Sequence, residues 1–168
     1  EGPREDYEDQ TKILAEKLGF FHYFAEAIRV GGENPYGNAL LSRYPILSAE
    51  TVKIPDPQEK VYDRGYESRC LLKAKIDVGS GLEVLVCHFG LNPDEAENAV
   101  KTVEKLPKIS SVIFAAAGVA HQNDAAEIQL MSKVLLQQVD EAQTVTGAGD
   151  QVRVQLLHIL GMGLGIAA

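Results

Sequence analysis

The chain has 168 residues, of which 45% are hydrophobic and 24% charged. This supports one domain with its own core, and it excludes a disordered chain or a pair of full-sized domains. Sixteen Lys and Arg against 24 Asp and Glu leave a net charge of -8, which excludes a passive nucleic-acid coat but not an enzyme acting on phosphates, because bound metal ions can supply positive charge locally. No run approaches the roughly 18 apolar residues of a membrane span. The most apolar stretch, Val154 to Ala168, is interrupted by Gln155 and His158. The acidic start Glu1-Gly2-Pro3-Arg4-Glu5-Asp6 does not read as a signal peptide.

The first periodic segment predicts a helix from Asp6 to Leu18. Ile13, Leu14 and Leu18 form its apolar face, and Gly19 supplies the stop. Phe20 to Ile28 reads as a strand and Gly31 to Pro35 as a loop. Ala39 to Arg43 reads as a short buried strand that Pro45 limits to an edge or an end. Thr51 to Ile54 is a further strand, followed by a polar loop through Pro55, Pro57 and Asp63. Ser68 to Val78 and Leu82 to Phe89 are the clearest β runs, joined by a three-residue hairpin loop, Gly79-Ser80-Gly81.

Asn92 to Leu106 predicts the best helix. Asn92 caps it, Pro93 takes the first helical position, Glu95 completes a capping box and Pro107 ends it. Ser111 to Ala117 is apolar enough to be a buried central strand. Asp124 to Val139 predicts a second helix after that strand, and Val152 to Leu160 a last strand. Strands that cluster and helices that bracket them predict an α+β sandwich of mainly antiparallel sheets, a single domain over residues 1–168.

Cys70 and Cys87 are the only cysteines. In the expected hairpin Cys70 opposes a residue near Gly90 and Cys87 one near Lys73, so the thiols stay free. That suits a reducing, cytoplasmic setting. A cysteine nucleophile is disfavoured, because Cys87 and the adjacent His88 point to opposite faces of a strand. His22, His121 and His158 have no acidic or thiol partner at a ligand spacing and read as structural. Asp94 and Glu95 read as complements to a helix N-terminus rather than a catalytic pair. Gly161 to Gly165 lacks the following helix that a phosphate cradle needs.

The segments Tyr36 to Ile46, YGNALLSRYPI, and Glu67 to Val100, ESRCLLKAKIDVGSGLEVLVCHFGLNPDEAENAV, together resemble the endonuclease/exonuclease/phosphatase superfamily of metal-dependent phosphoesterases. The resemblance runs from about Tyr7 to Leu106. It implies a four-layer α/β/β/α sandwich, here incomplete at both ends. It also implies phosphoester hydrolysis assisted by Mg²⁺ or Mn²⁺, of the phosphodiesterase or nuclease type. Carried over by position, His88 implies a catalytic group at the phosphate. Arg69 implies a substrate contact, although an ion pair with Glu67 explains it as well. Asn38 and Asn92 imply substrate-binding positions on the rim, and helix capping alone also accounts for Asn92.

The chain departs from the family where the metal should sit. Ala116 and Gly118 stand at the positions of a metal-binding Asp and its neighbouring Asn, and Leu157 stands at that of a later acid. No metal ligands can be nominated, unless the last third aligns differently and Asp124 or Asp150 serves. The resemblance thus leaves two readings. One is a phosphoester hydrolase domain, inactive if its acids are truly replaced. The other is a non-catalytic binding domain of the same fold. The substrate is a phosphoester of unassigned type, and exposed sheet edges would favour homo-oligomers.

Overall fold

The structure, a computed structural model, describes residues 9–107, 112–117 and 155–158. Helix α1 spans Gln10–Leu18. It starts where Asp9 accepts the Lys12 backbone N–H at 3.0 Å. It stops at Gly19, whose φ of 66° is the left-handed turn that a glycine makes without steric cost. The expected start at Asp6 lies outside the described residues. The expected apolar face is corrected: Thr11 and Ala15 are the buried residues, while Leu14 and Leu18 are 50% and 57% exposed. Small side chains one turn apart form the inner side of this helix, which lies beside the first two strands.

Strands β1 (Phe21–Val30) and β2 (Asn34–Ser42) form an antiparallel two-stranded sheet. β2 is longer than expected, because the turn closes within Gly31–Glu33 and pairing resumes at Asn34. Pro35 is tolerated inside it, since in a two-stranded sheet every strand is an edge.

The second sheet has the order β3-β4-β5-β6-β7. Its strands are β3 (Ile46–Lys53), β4 (Cys70–Ile76), β5 (Leu82–His88), β6 (Val112–Ala117) and β7 (Gln155–His158). β3, β4 and β5 are antiparallel, whereas β5, β6 and β7 run parallel. The mainly antiparallel α+β class therefore holds, and β6 has the expected interior position. The expected helix Asp124–Val139 lies outside the described residues.

β4 carries the sequence Cys70-Leu71-Leu72 with all three side chains buried. A run without alternation marks a strand covered on both faces. On one face Leu71, Leu85 and Cys87 pack with Ala96, Ala99, Val100 and Val103 of helix α2 (Pro93–Glu104). On the other, Cys70, Leu72 and Ala74 pack with Ala25 of β1 and with the flanking Tyr23 and Leu40.

The hairpin register differs from the expectation. Leu71 pairs with Cys87 and Ile76 with Leu82, so residues 77–81 form the loop. The Val78 N–H reaches the Ile76 carbonyl, the Gly81 N–H reaches the Val78 carbonyl, and the Asp77 N–H ties the loop to the Pro45 carbonyl at 2.9 Å. The two thiols are thus neighbours in register rather than several residues apart. They remain free because they point to opposite faces, Cys70 toward β1 and Cys87 toward α2.

Helix α2 begins as its sequence predicts. Glu95 accepts the Asn92 backbone N–H at 3.1 Å and the Asn92 Nδ2 at 2.8 Å. The long loop between β3 and β4 is tied to this helix end. The Tyr66 hydroxyl donates to Asp94 at 2.9 Å, Asn98 donates to the Pro55 carbonyl at 2.9 Å, and Arg64 donates to the Leu91 carbonyl at 3.2 Å.

Candidate functional site

Strand directions define one edge of the large sheet. The parallel strands β5, β6 and β7 all end there, and β4, antiparallel to β5, begins there. Ends of adjacent parallel strands are where α/β sheets place ligands, because side chains and loops converge without a ladder partner. His88 closes β5 at this edge, and Arg69 immediately precedes β4. The Arg69 carbonyl accepts the Ile54 N–H at 3.1 Å, which fixes its backbone to the end of β3.

Asn38 reaches the same region from the other sheet. Its Nδ2 donates to the Cys70 carbonyl at 2.9 Å and lies 3.6 Å from the Cys70 Sγ. The Cys70 thiol in turn donates to the Ala25 carbonyl at 3.4 Å. Asn38 is therefore a cross-sheet tie next to Arg69. Three of the four residues singled out from sequence (His88, Arg69 and Asn38) meet at one corner.

Asn92 belongs to a neighbouring layer. It is 1% exposed, and its Nδ2 is held by Glu95 and the Arg64 carbonyl. Its Oδ1 has no partner among the described residues. Of the capping pair that its sequence position implies, the Glu95 half is visible: Glu95 accepts the Asn92 backbone N–H.

The charges of the corner are coupled. Arg69 Nη2 lies 2.9 Å from Glu67 Oε2, with the Arg69 side chain 11% exposed and that of Glu67 50% exposed. Arg69 Nε is buried and has no partner among the described residues. Burial, and then the Arg69 guanidinium, push the His88 imidazole below its ordinary range, and the Glu67 carboxylate opposes them. His88 is thus neutral near pH 7, able to donate from one nitrogen and accept at the other. Burial pushes the Cys87 thiol up to about 12, so it is inert as a nucleophile.

The lowered His88 value has a consequence for stability. The unfolded chain takes up the proton near pH 6.5, whereas the folded chain takes it up only at lower pH. Stability contributed by neutral His88 is fully present above about pH 6.5 and is lost as pH falls through the folded value. Melting temperatures between pH 7.5 and 4.5 should therefore fall less steeply for His88→Asn than for the unaltered protein. Parallel curves would refute this.

Sequence reasoning missed the surroundings of Glu67. A shallow polar pocket beside the corner is lined by Asp56, Lys60, Tyr66, Glu67, Ser68 and Glu95. Most of its carboxylates are engaged. Asp56 accepts from the Ser68 hydroxyl at 2.7 Å, and Glu95 accepts the Glu67 N–H at 3.3 Å as well as the Asn92 donors. Only the adjacency Glu67-Ser68-Arg69 hinted at this arrangement, since the other contacts join residues far apart in the chain.

A divalent cation of the Mg²⁺ type needs several oxygen ligands converging on one point. Among the described residues no group of three or more His, Cys, Asp or Glu is placed to hold a metal ion. The register puts Ala116 between Cys87 and His158, and Ala117 beside His88. The described residues therefore do not fit such a metal. Gly118, Asp124 and Asp150 lie outside them.

Comparison with known proteins bears on the fold. An endonuclease/exonuclease/phosphatase family protein from Leptotrichia buccalis C-1013-b superposes with a TM-score of 0.52 at 17% sequence identity. The match covers 76% of this chain and 51% of that protein, so the chain spans about half of its length. The fold is thus of the endonuclease/exonuclease/phosphatase class. More narrowly, residues 4–144 match the family described as PGAP2IP, C-terminal nuclease-like domain, and the chain belongs to that family.

Proposed function

We propose that this chain is a phosphoester-recognising domain of the phosphoesterase fold, and that the corner formed by Arg69, His88 and Asn38 receives the phosphate. The observation that carries the reading is a confined Arg69 side chain, 11% exposed, within electrostatic reach of an imidazole whose pKa is lowered by burial and by that charge. A confined arginine is suited to fork-shaped recognition of phosphate oxygens. A neutral histidine adds a directional hydrogen bond and, in a hydrolytic site, a group for proton transfer. Asn38 holds the start of β4, and so Arg69, in place.

The layering α1, β1–β2, β3–β7, α2 supports the four-layer sandwich that the resemblance implies. The two buried free thiols support a reducing, cytoplasmic setting.

The test has two arms. Inorganic phosphate should perturb the His88 ring resonances, and Arg69→Gln should remove the effect from a folded protein. Its persistence in Arg69→Gln would overturn the assignment. In parallel, turnover of a chromogenic phosphodiester is measured with Mg²⁺, with Mn²⁺ and with EDTA. Metal-dependent turnover that His88→Ala abolishes would assign hydrolysis, with ligands drawn from outside the described residues. Phosphate binding without turnover in any arm would assign recognition alone, which the Ala116 and Ala117 positions favour.

A further inference from the structure

We infer that Glu67 is a built-in anionic competitor at the phosphate corner, one that makes it selective for singly charged phosphodiesters over doubly charged phosphomonoesters. The inference rests on the phosphate-recognition reading and goes one step further, to the charge class of the substrate. Its basis is that the Arg69 guanidinium is already occupied. Arg69 Nη2 and Glu67 Oε2 are 2.9 Å apart, and Arg69 is confined with 11% of its side chain exposed. The guanidinium therefore cannot turn outward to meet a ligand elsewhere. Its Nε is buried and has no partner among the described residues, an unmet donor.

The segment bearing Glu67 is pinned while its carboxylate stays half-exposed. The Tyr66 hydroxyl is held by Asp94 at 2.9 Å, the Glu67 N–H by Glu95 at 3.3 Å, and the Ser68 hydroxyl by Asp56 at 2.7 Å. Only the Glu67 side chain is left to swing, so it can leave Arg69 without disturbing the loop. With Arg69 and Glu67 paired and His88 neutral, the corner carries no net charge, and three further carboxylates, Asp56, Asp94 and Glu95, stand close by. A ligand with two negative charges meets twice the Coulomb repulsion from Glu67 that a ligand with one does. In logarithmic affinity that repulsion doubles, while the cost of parting Glu67 from Arg69 is the same for both ligands.

The probes are dimethyl phosphate, a monoanion, and methyl phosphate, largely a dianion at pH 7.5. Both are titrated by NMR at low ionic strength, where screening is weak. In Glu67→Gln both probes should tighten by the common factor that frees Arg69, and methyl phosphate should gain roughly threefold more than dimethyl phosphate because the repulsion it escapes is twice as large. The Glu67 side chain makes no bond that the pinned loop depends on, so Glu67→Gln should fold, and its melting curve verifies this. Arg69→Lys accompanies Arg69→Gln as a variant that keeps the charge and loses the fork. With binding still dependent on Arg69, equal gains for both probes would overturn the charge selectivity and no gain would overturn the competitor role, and either would leave the phosphate corner intact. Binding that ignores both Arg69 variants, or no binding by any variant, would overturn the corner itself and this inference with it.

Discussion

We expect Leu85→Ala to lower the free energy of unfolding by about 3 to 4 kcal/mol, among the largest effects of any single change to the described residues. Leu85 is fully buried and lies in the cluster that joins Leu71, Ala99, Val100 and Val103. It sits on β5, paired with Lys73 of β4 on one side and Phe114 of β6 on the other. A strand hydrogen-bonded on both sides cannot shift to fill the space that the truncation leaves. The loss therefore includes the transfer free energy of the removed carbons and the cavity left behind. For a domain whose whole stability is roughly 5 to 15 kcal/mol, this is a large fraction. Urea unfolding should show a lower midpoint with an unchanged slope. A change below about 1 kcal/mol would mean that β5 is repacked more easily than its pairing implies.

The second large effect is expected at Gly37, where any side chain would meet the β1 backbone. A Cβ at this position would lie 1.9 Å from the Ala25 carbonyl oxygen and 2.9 Å from its carbon. Both atoms are backbone, held in a ladder whose register shifts between Glu26 and Ile28, so neither yields cheaply. Gly37→Ala should destabilise by about 3 kcal/mol, in the range of forced overpacking. It should also displace the adjacent Asn38 and lengthen its bond to the Cys70 carbonyl, coupling the bulge to the site. Gly65→Ala is the control, because a Cβ there meets nothing within 4 Å. If Gly37→Ala melts at the same temperature as Gly65→Ala, the close approach does not constrain the fold.

This close approach gives a physical reason for one part of the motif that carried the family resemblance. Gly37-Asn38 reads in sequence only as a matched pair of letters. In the fold Gly37 lets two backbones meet, and Asn38 then reaches across to the other sheet. The pair is structural on one side and supports Arg69 on the other.

The corner was partly legible for the same reason. His88 and Arg69 lie near the ends of two runs whose β pattern is strong, and the family resemblance singled them out there. Their coupling to Glu67 was not legible as a working contact. An ion pair two residues apart is common on any surface, and only the burial of Arg69 separates this one from the rest. The ties from Tyr66, Glu67 and Asn92 across the helix end span about 28 residues each, beyond the reach of any periodicity.

What the sequence determined by itself was local. Pro93 and Glu95 start α2, Pro93 because it brings no free N–H and Glu95 because it accepts the Asn92 N–H, and Gly19 ends α1 because it tolerates a left-handed turn. The runs from Cys70 and from Leu82 form strands through their β-branched and apolar content. The hairpin register, the parallel pairing of β5, β6 and β7, and the buried side of α1 were decided by the tertiary structure. A register slip of two residues leaves every side chain on its original face, so alternation cannot distinguish Leu71 from Lys73 as the partner of Cys87. Likewise Leu14 and Leu18 outrank Thr11 and Ala15 on hydrophobicity, yet the sheet beside α1 received the smaller pair. Which side of a helix is covered depends on the elements packed against it, and no single segment encodes them.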